Sequence, residues 1–557
     1  MRILAFVALA PLLLGAAPAP PPPRADLMLW GGPVYTGVDA HPAAQAVGVS
    51  RGRIVFVGRR AEAQRWVGPR TQVVDLHGAA LFPGFTDSHA HLRGIGEREL
   101  TLNLEGSKSA AEVRERLAAY AAKAPAGSTI VGRGWIETGW PEKRFLNAAD
   151  LDAVAPGRVV LLSRADGHAL TVSSAALKAA GIDARTPDPF GGRIDKDASG
   201  RPTGMLVDNA MGLVGRLQKP PTEAERLAAF RAAFRVEAAY GWTGVHSMSV
   251  SWPDVPLLEA MAARGEAPLR VYNAVDVGEA GALLASGPRS SPGGRIVTRA
   301  IKIYADGALG SRGAALFEPY ADAPETRGLL KLKPEDTAPV LARALKAGVQ
   351  VATHAIGDRG NDVVLNLYRD AGVRPGAGSP RWRIEHAQNL TDADIPRFRE
   401  LGVIASMQPS HAIGDLRFAG ARLGMDRLRG AYAWKRLEDA GAVVVGGSDA
   451  PVERGDPLIE FYAAVARRDL QGRSGPGWHP EQALSREQAL KLFTASAAYA
   501  RFAEAELGTL EVGKRADLTA FSVDLMRAPV EAIPKGKAVL TVVDGEVVFS
   551  APDVVRR

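Results

Sequence analysis

Two histidines, His89 and His91, stand two residues apart at the end of the run PGFTDSHAH. On an extended strand such a pair points to one side, so both imidazoles can reach one cation at about 2.0–2.1 Å. Alone, the pair is a weak signal. Three further groups recur in the same setting: His354 in VQVATHAIGD, His386 in WRIEHAQ and Asp449 in VVVGGSDAP. Four histidines and an aspartate at the ends of β-like runs are hard to explain as core packing, because each buried polar group needs its own partner. The chain contains no cysteine, which removes thiolate ligands, a cysteine nucleophile and disulfides together. A metal here must be held by nitrogen and oxygen.

Positioning these groups calls for parallel strands that end on one side. Between Pro83 and Leu507, apolar β-runs (GWTGVHSM, RVYNAV, AIKIYADG, GVIASMQPS) alternate with Ala/Leu-rich helical segments. That alternation predicts an α/β fold, a (β/α)8 TIM-like barrel over residues 83–507, with chemistry at the C-terminal strand ends. The span far exceeds the roughly 250 residues a barrel needs. The surplus, with its own β-runs STIVGRGW and RVVLLSRADG, predicts an inserted subdomain at about 127–213. The flanks 24–82 and 508–557 are rich in short β-runs and are expected to form one small composite β-sandwich domain.

The 557 residues carry 68 Lys+Arg against 61 Asp+Glu, are 46% hydrophobic and 23% charged, and fit a soluble globular enzyme. The net charge of +7 is modest and no basic block with interleaved aromatics occurs, so no nucleic-acid partner is expected. Residues 1–23 hold Arg2, an apolar run from Ile3 to Leu14, small residues and a proline-rich spacer. The run is shorter than the roughly 20 residues that span a bilayer and suits a secretory signal peptide. The mature protein is expected to start near Arg24, to be periplasmic or secreted, and to have no membrane attachment after signal removal; a buried helix or retained anchor is the alternative.

The motifs PGFTDSHAH, GRGW, DGHAL, IKIYADGALGSRGAAL, HAIGD, EHAQ, SMQPSHA, GGSDAPVE and GTLEVGKRADL, in this order, cover nearly the whole mature chain. Together they resemble the metal-dependent amidohydrolase superfamily, and within it the branch that includes N-substituted formamide deformylases. The resemblance implies two divalent metal ions, with zinc expected: His89, His91 and Asp449 at the first, His354 and His386 at the second. It also implies a carboxylated lysine. Lys302, between Ile301 and Ile303, fits that role, since desolvation disfavours its ammonium form and a neutral amine can take up carbon dioxide as a bridging carbamate. A structural lysine paired with Asp306 is the alternative.

The expected chemistry is hydrolysis of a C–N bond (amide, N-acyl or N-formyl) in a small-molecule substrate by a metal-activated hydroxide. Asp449 would act as general base and then general acid. His168, in the inserted segment, is a candidate to bind the substrate carbonyl or oxyanion, against a histidine satisfied within the insert. Trp135 and Trp140 are candidates for an apolar pocket wall, against ordinary core. Asp306, Arg312, Gln408 and His411 lie in matching loops and are further substrate-binding candidates. Asp87 is expected to orient the histidine pair. A mononuclear deaminase on the same barrel, or an inactive scaffold, would share most of these features. No organic cofactor is expected, and a homo-oligomer is compatible with the sequence.

Overall fold

The computed structural model describes residues 24–472, 474–475, 478–552 and 554–556. Residues 1–23, on which the signal-peptide reading falls, lie outside the described residues. Eight parallel strands form the barrel: β1 (Phe85–Ala90), β2 (Trp242–Val250), β3 (Arg270–Asp276), β4 (Ile296–Tyr304), β5 (Gln350–Ala355), β6 (Arg383–His386), β7 (Ile404–Met407) and β8 (Val444–Gly446). Neighbouring strands pair in sequence order from β1 to β8. Closure between β8 and β1 is made by other bonds. Asp449 N–H donates to His89 O at 2.7 Å and His91 N–H to Ala450 O at 2.7 Å. The Asp87 carboxylate accepts from Ser448 N–H at 2.9 Å and His89 N–H at 3.0 Å.

Period-two alternation explains why polar groups face the axis. On β4, Ile301 and Ile303 enter the main hydrophobic core, whereas Ala300 packs inside the barrel with Met248, Tyr272, Ala274 and Ala352. Lys302 shares Ala300's face and is buried. On β5 the same arithmetic places His354 on the face of Ala352. On β6 it places Arg383 and Glu385 inward, with Ile384 in the outer core.

Both ends of the chain contribute to one sheet. Its main path runs 546–550, 538–543, 518–521, 80–83, 27–35, 43–50, 53–58, with strands 72–75 and 555–556 paired alongside. Ala80–Pro83 lies antiparallel to Leu518–Phe521, and Phe85 N–H donates to Thr519 Oγ1 across 434 residues. Leu29, Val47, Leu81, Leu518 and Leu540 share its core. Where this sheet meets the barrel, Phe82, Phe85, Trp242, Phe493 and Phe521 form a cluster of ring contacts.

The inserted segment has a six-stranded sheet in the order 192–196, 202–208, 169–172, 160–164, 130–135, 102–103. It starts at Leu102, earlier than the 127 expected, because a two-residue strand leaves no periodic signal. No helix among the described residues is long and apolar enough to cross a membrane.

Candidate metal centre and its cavity

A cavity of about 390 Å³ at the C-terminal end of the barrel is lined by His89, His91, Lys302, His354, His386 and Asp449, with His168, Tyr304 and Lys331. The six ligand candidates therefore share one space. Within it, ligand atoms of His89, His386 and Asp449 lie within 4.8 Å of one another. His91 Nε2 is 3.2 Å and His89 Nε2 3.4 Å from Asp449 Oδ1. His386 has φ +74° and Asp449 φ +58°. Two ligand candidates thus sit in the left-handed region that costs an ordinary residue energy, a feature that clusters at functional sites.

The hydrogen bonds set the imidazole tautomers. His89 Nδ1 donates to Glu385 Oε2 at 2.6 Å, since a carboxylate only accepts when ionised. His386 Nδ1 donates to Gln408 Oε1 at 2.7 Å, and Gln408 Nε2 in turn donates to Ser406 O at 3.1 Å. Both rings therefore turn an unprotonated Nε2 into the cavity when neutral. Burial holds His89 and His354 well below the usual imidazole range and moves His386 down to about 3. Burial alone would raise Asp449, but the imidazoles of His89, His91 and His386 hold it well below the usual carboxylate range. Neutral nitrogen donors beside an ionised carboxylate are what a divalent cation requires. The residues fit a metal, with Glu385 and Gln408 as the outer partners that orient its ligands.

Burial moves the Lys302 amine down to about 8. Its Nζ is 3.5 Å from His89 Nε2 and 5.1 Å from the Tyr304 ring centre. Asp306 is engaged elsewhere. Its carboxylate accepts from the N–H groups of Ala315, Ile356 and Gly357 at 2.7–3.0 Å and lies 3.4 Å from His354 Nε2.

The insert reaches this space through His168. Its Nδ1 is 2.6 Å from Asp208 Oδ1, and Lys331 Nζ is 3.3 Å from the same oxygen. The His168 and His354 ring centres are 4.9 Å apart. Gly307 and Gly313 make room for Asp208: a Cβ at either would meet Asp208 Oδ2 at 2.2 or 2.3 Å. A second, adjoining cavity of about 310 Å³ runs between the insert and the barrel loops and includes His168, His354, His386, His411 and Asp449.

Some candidates take other places. Trp135 is fully buried, donates from Nε1 to Leu162 O at 2.9 Å and packs on Trp140 and Phe145 within the insert. It is core, and neither tryptophan lines the two cavities. Arg312 makes a two-pronged pair with Asp322 at 3.2 and 2.9 Å and also lies outside their walls. Gln408 holds His386, and Asp87 ties β1 to the loop after β8 rather than holding a histidine ring. Two residues escaped the sequence reading. Glu385 and Asp208 each hold an imidazole, and Glu385 was open to detection because it occupies the same face of β6 as Arg383.

Residues 72–549 match the amidohydrolase family, so this chain belongs to that family. It is a metal-dependent hydrolase acting on carbon–nitrogen bonds. YtcJ of Bacillus subtilis (strain 168) is 36% identical over 94% of this chain and 99% of its own length. The N-substituted formamide deformylase of Arthrobacter pascens is 28% identical over 93% of this chain and 97% of its own. A crystal structure of an uncharacterized metal-dependent hydrolase from Pyrococcus horikoshii OT3 superposes with a TM-score of 0.73 at 26% identity, covering 90% of this chain and 99% of that one.

Proposed function

We propose that this protein hydrolyses an N-acyl or N-formyl amide of a small organic amine at the site between His89, His386 and Asp449. The observation that carries the reading is the convergence of unprotonated imidazole nitrogens with an ionised aspartate, at the strand ends of the barrel. His89, His91, His354, His386 and Asp449, with Lys302 as its carbamate, would hold two divalent cations, with zinc the expected ion. Such cations supply Lewis acidity toward a carbonyl oxygen and toward water. The buried Lys302 amine, which Asp306 does not pair, supports the carbamate.

The protein's own groups then divide the proton work. Asp449, held ionised, takes a proton from the attacking water at a carboxylate oxygen and returns it to the leaving nitrogen. Asp208 fixes the His168 ring by its Nδ1, which leaves Nε2 as the atom that can hold or pass a proton beside the substrate carbonyl. The similarity to a protein named N-substituted formamide deformylase supports a formyl or small acyl group as the acid part.

The test is turnover of metal-loaded protein on a panel of N-formyl and N-acyl amines, with the acid and amine products both measured. Asp449→Asn should keep metal yet lose about 10²–10⁴-fold in turnover. Ammonia as product with one metal per chain would replace this reading with the deaminase. An inactive metal-loaded protein across the panel would overturn it. Export is part of the proposal and rests on the sequence of residues 1–23; intact Met1 in a cytosolic fraction would overturn that part.

A further inference from the structure

Below the metal cavity the barrel interior holds a histidine that the bond-breaking chemistry does not use. His246, on β2, is fully buried, lines neither cavity, and sets its ring 5.1 Å from that of Tyr272. Tyr272 belongs to the interior cluster with Met248, two residues along β2 from His246 on the same face. Burial holds the His246 imidazole well below its usual range. The guanidinium groups of Arg383 and Arg501 push the same way, against the Glu385 carboxylate. The ring is therefore neutral.

Its tautomer follows from its partner. Arg383 Nη1 lies 2.9 Å from His246 Nδ1, and a guanidinium donates but cannot accept. Nδ1 therefore carries the lone pair and the proton sits on Nε2. That Nε2 is buried with no hydrogen-bond partner among the described residues. An unmet buried donor costs stability, a cost that an aliphatic side chain of similar size would not carry. Packing alone gives no reason for histidine here; the Nδ1 acceptor does. On the same guanidinium, Nη2 is shared among Ser88 O at 2.6 Å, Ser406 Oγ at 2.7 Å and Glu385 Oε2 at 3.0 Å. Nε lies 2.7 Å from Glu385 Oε1 but off the hydrogen-bond direction. Nη1 has His246 as its one hydrogen-bond partner among the described residues. The bond to His246 thus pins the corner of the guanidinium that no other group holds. Glu385 Oε2 is also the atom that accepts His89 Nδ1–H at 2.6 Å, so one line of contacts crosses the barrel from β2 through β6 to β1.

We infer that His246 is a positioning residue for the metal centre. By accepting from Arg383 Nη1 it fixes the guanidinium against Glu385, and through Glu385 the tilt of the His89 ring that turns Nε2 into the cavity. The inference rests on the metal-site part of the amide-hydrolase reading and adds to it a residue that touches neither metal nor substrate.

The test measures zinc affinity of the full-length protein by competition with a chelator, with thermal melts of the metal-free protein alongside. His246→Leu should weaken zinc binding by at least about ten-fold, the scale on which groups that orient metal ligands act. His246→Phe keeps a ring beside Tyr272 without the acceptor, should show the same loss, and serves where the leucine variant does not fold. His246→Asn, whose side-chain oxygen can stand where Nδ1 stands, should recover most of the affinity. A packing role alone would lower the melting temperature and leave zinc affinity of the folded protein unmoved. A double variant locates the effect: on a Glu385→Gln background, His246→Leu or His246→Phe should add little further loss, because the line to His89 is already cut. Unchanged zinc affinity without the acceptor, no recovery in His246→Asn, or losses that multiply in the double variant overturns the inference. Amide hydrolysis by the parent with zinc affinity unmoved in the variants overturns it alone. The expected zinc losses with no hydrolysis of any N-formyl or N-acyl probe keep the positioning role and overturn the amide-hydrolase reading.

Discussion

Glu385 touches no substrate space of its own, yet it sits at the centre of the site's order. It accepts the Nδ1–H of His89 and is gripped by Arg383, whose Nε lies 2.7 Å from Oε1 and whose Nη2 lies 3.0 Å from Oε2. Arg383 is fixed by Ser88 O and Ser406 Oγ, at 2.6 and 2.7 Å, and faces His246 Nδ1 at 2.9 Å. Glu385 is therefore a positioning residue. Glu385→Gln should weaken metal affinity by about 10–100-fold, read by competition with a chelator, because the amide cannot polarise the imidazole as the carboxylate does. Lys302→Ala should lose one of two bound metals, and added short carboxylates should restore it; unchanged metal content would end the carbamate proposal. The histidine pair was legible because two-residue spacing on a strand has one geometric meaning. Glu385 was harder to read, since a carboxylate beside a histidine shows its purpose only when β1 comes alongside β6. Trp135 and Arg312 were misplaced for a related reason: partners such as Phe145 and Asp322 are made by folding, and residue type does not announce them.

At the scale of elements, the barrel follows from alternation, and the insert depends on a few ionic ties. Arg164, at the end of the insert strand Val160–Arg164, binds Glu137 and Asp166, and so fixes the turn that presents His168. Burial alone would raise the Glu137 carboxyl, but the Arg164 guanidinium holds it below the usual carboxylate range. A carboxylate depressed in the folded state contributes stability above its unfolded pKa and loses it as pH falls through the folded value. Parent protein should therefore lose melting temperature between about pH 5 and 3 more steeply than Glu137→Gln does, which thermal melts across that range would check. The strands of the insert were legible in part. Its sheet reaches back to Leu102, and no pattern of residues marks a two-residue strand that exists only because Ile130–Trp135 pairs with it.

For the whole molecule, the joint between barrel and composite sheet is ionic as well as aromatic. Arg270, at the start of β3, donates to Asp517 at 2.6 and 2.9 Å and pairs with Asp544, all three from segments more than 240 residues apart in the chain or on opposite sides of a hairpin. Arg270→Met should destabilise the fold by about 3–5 kcal/mol in chemical denaturation, because it strands a buried carboxylate. The amino-terminal sheet strands also depend on the far end of the chain. Ribosomes add about 5–20 residues per second, so the 434 residues between Phe85 and Thr519 take roughly 20 to 90 s to make. Throughout that interval Ala80–Pro83 has an edge with no partner strand, an invitation to pairing with other chains. The architecture that seals the barrel's base in the finished protein therefore leaves the Ala80–Pro83 edge open until Leu518–Phe521 has been made, so the joint cannot close before that strand exists.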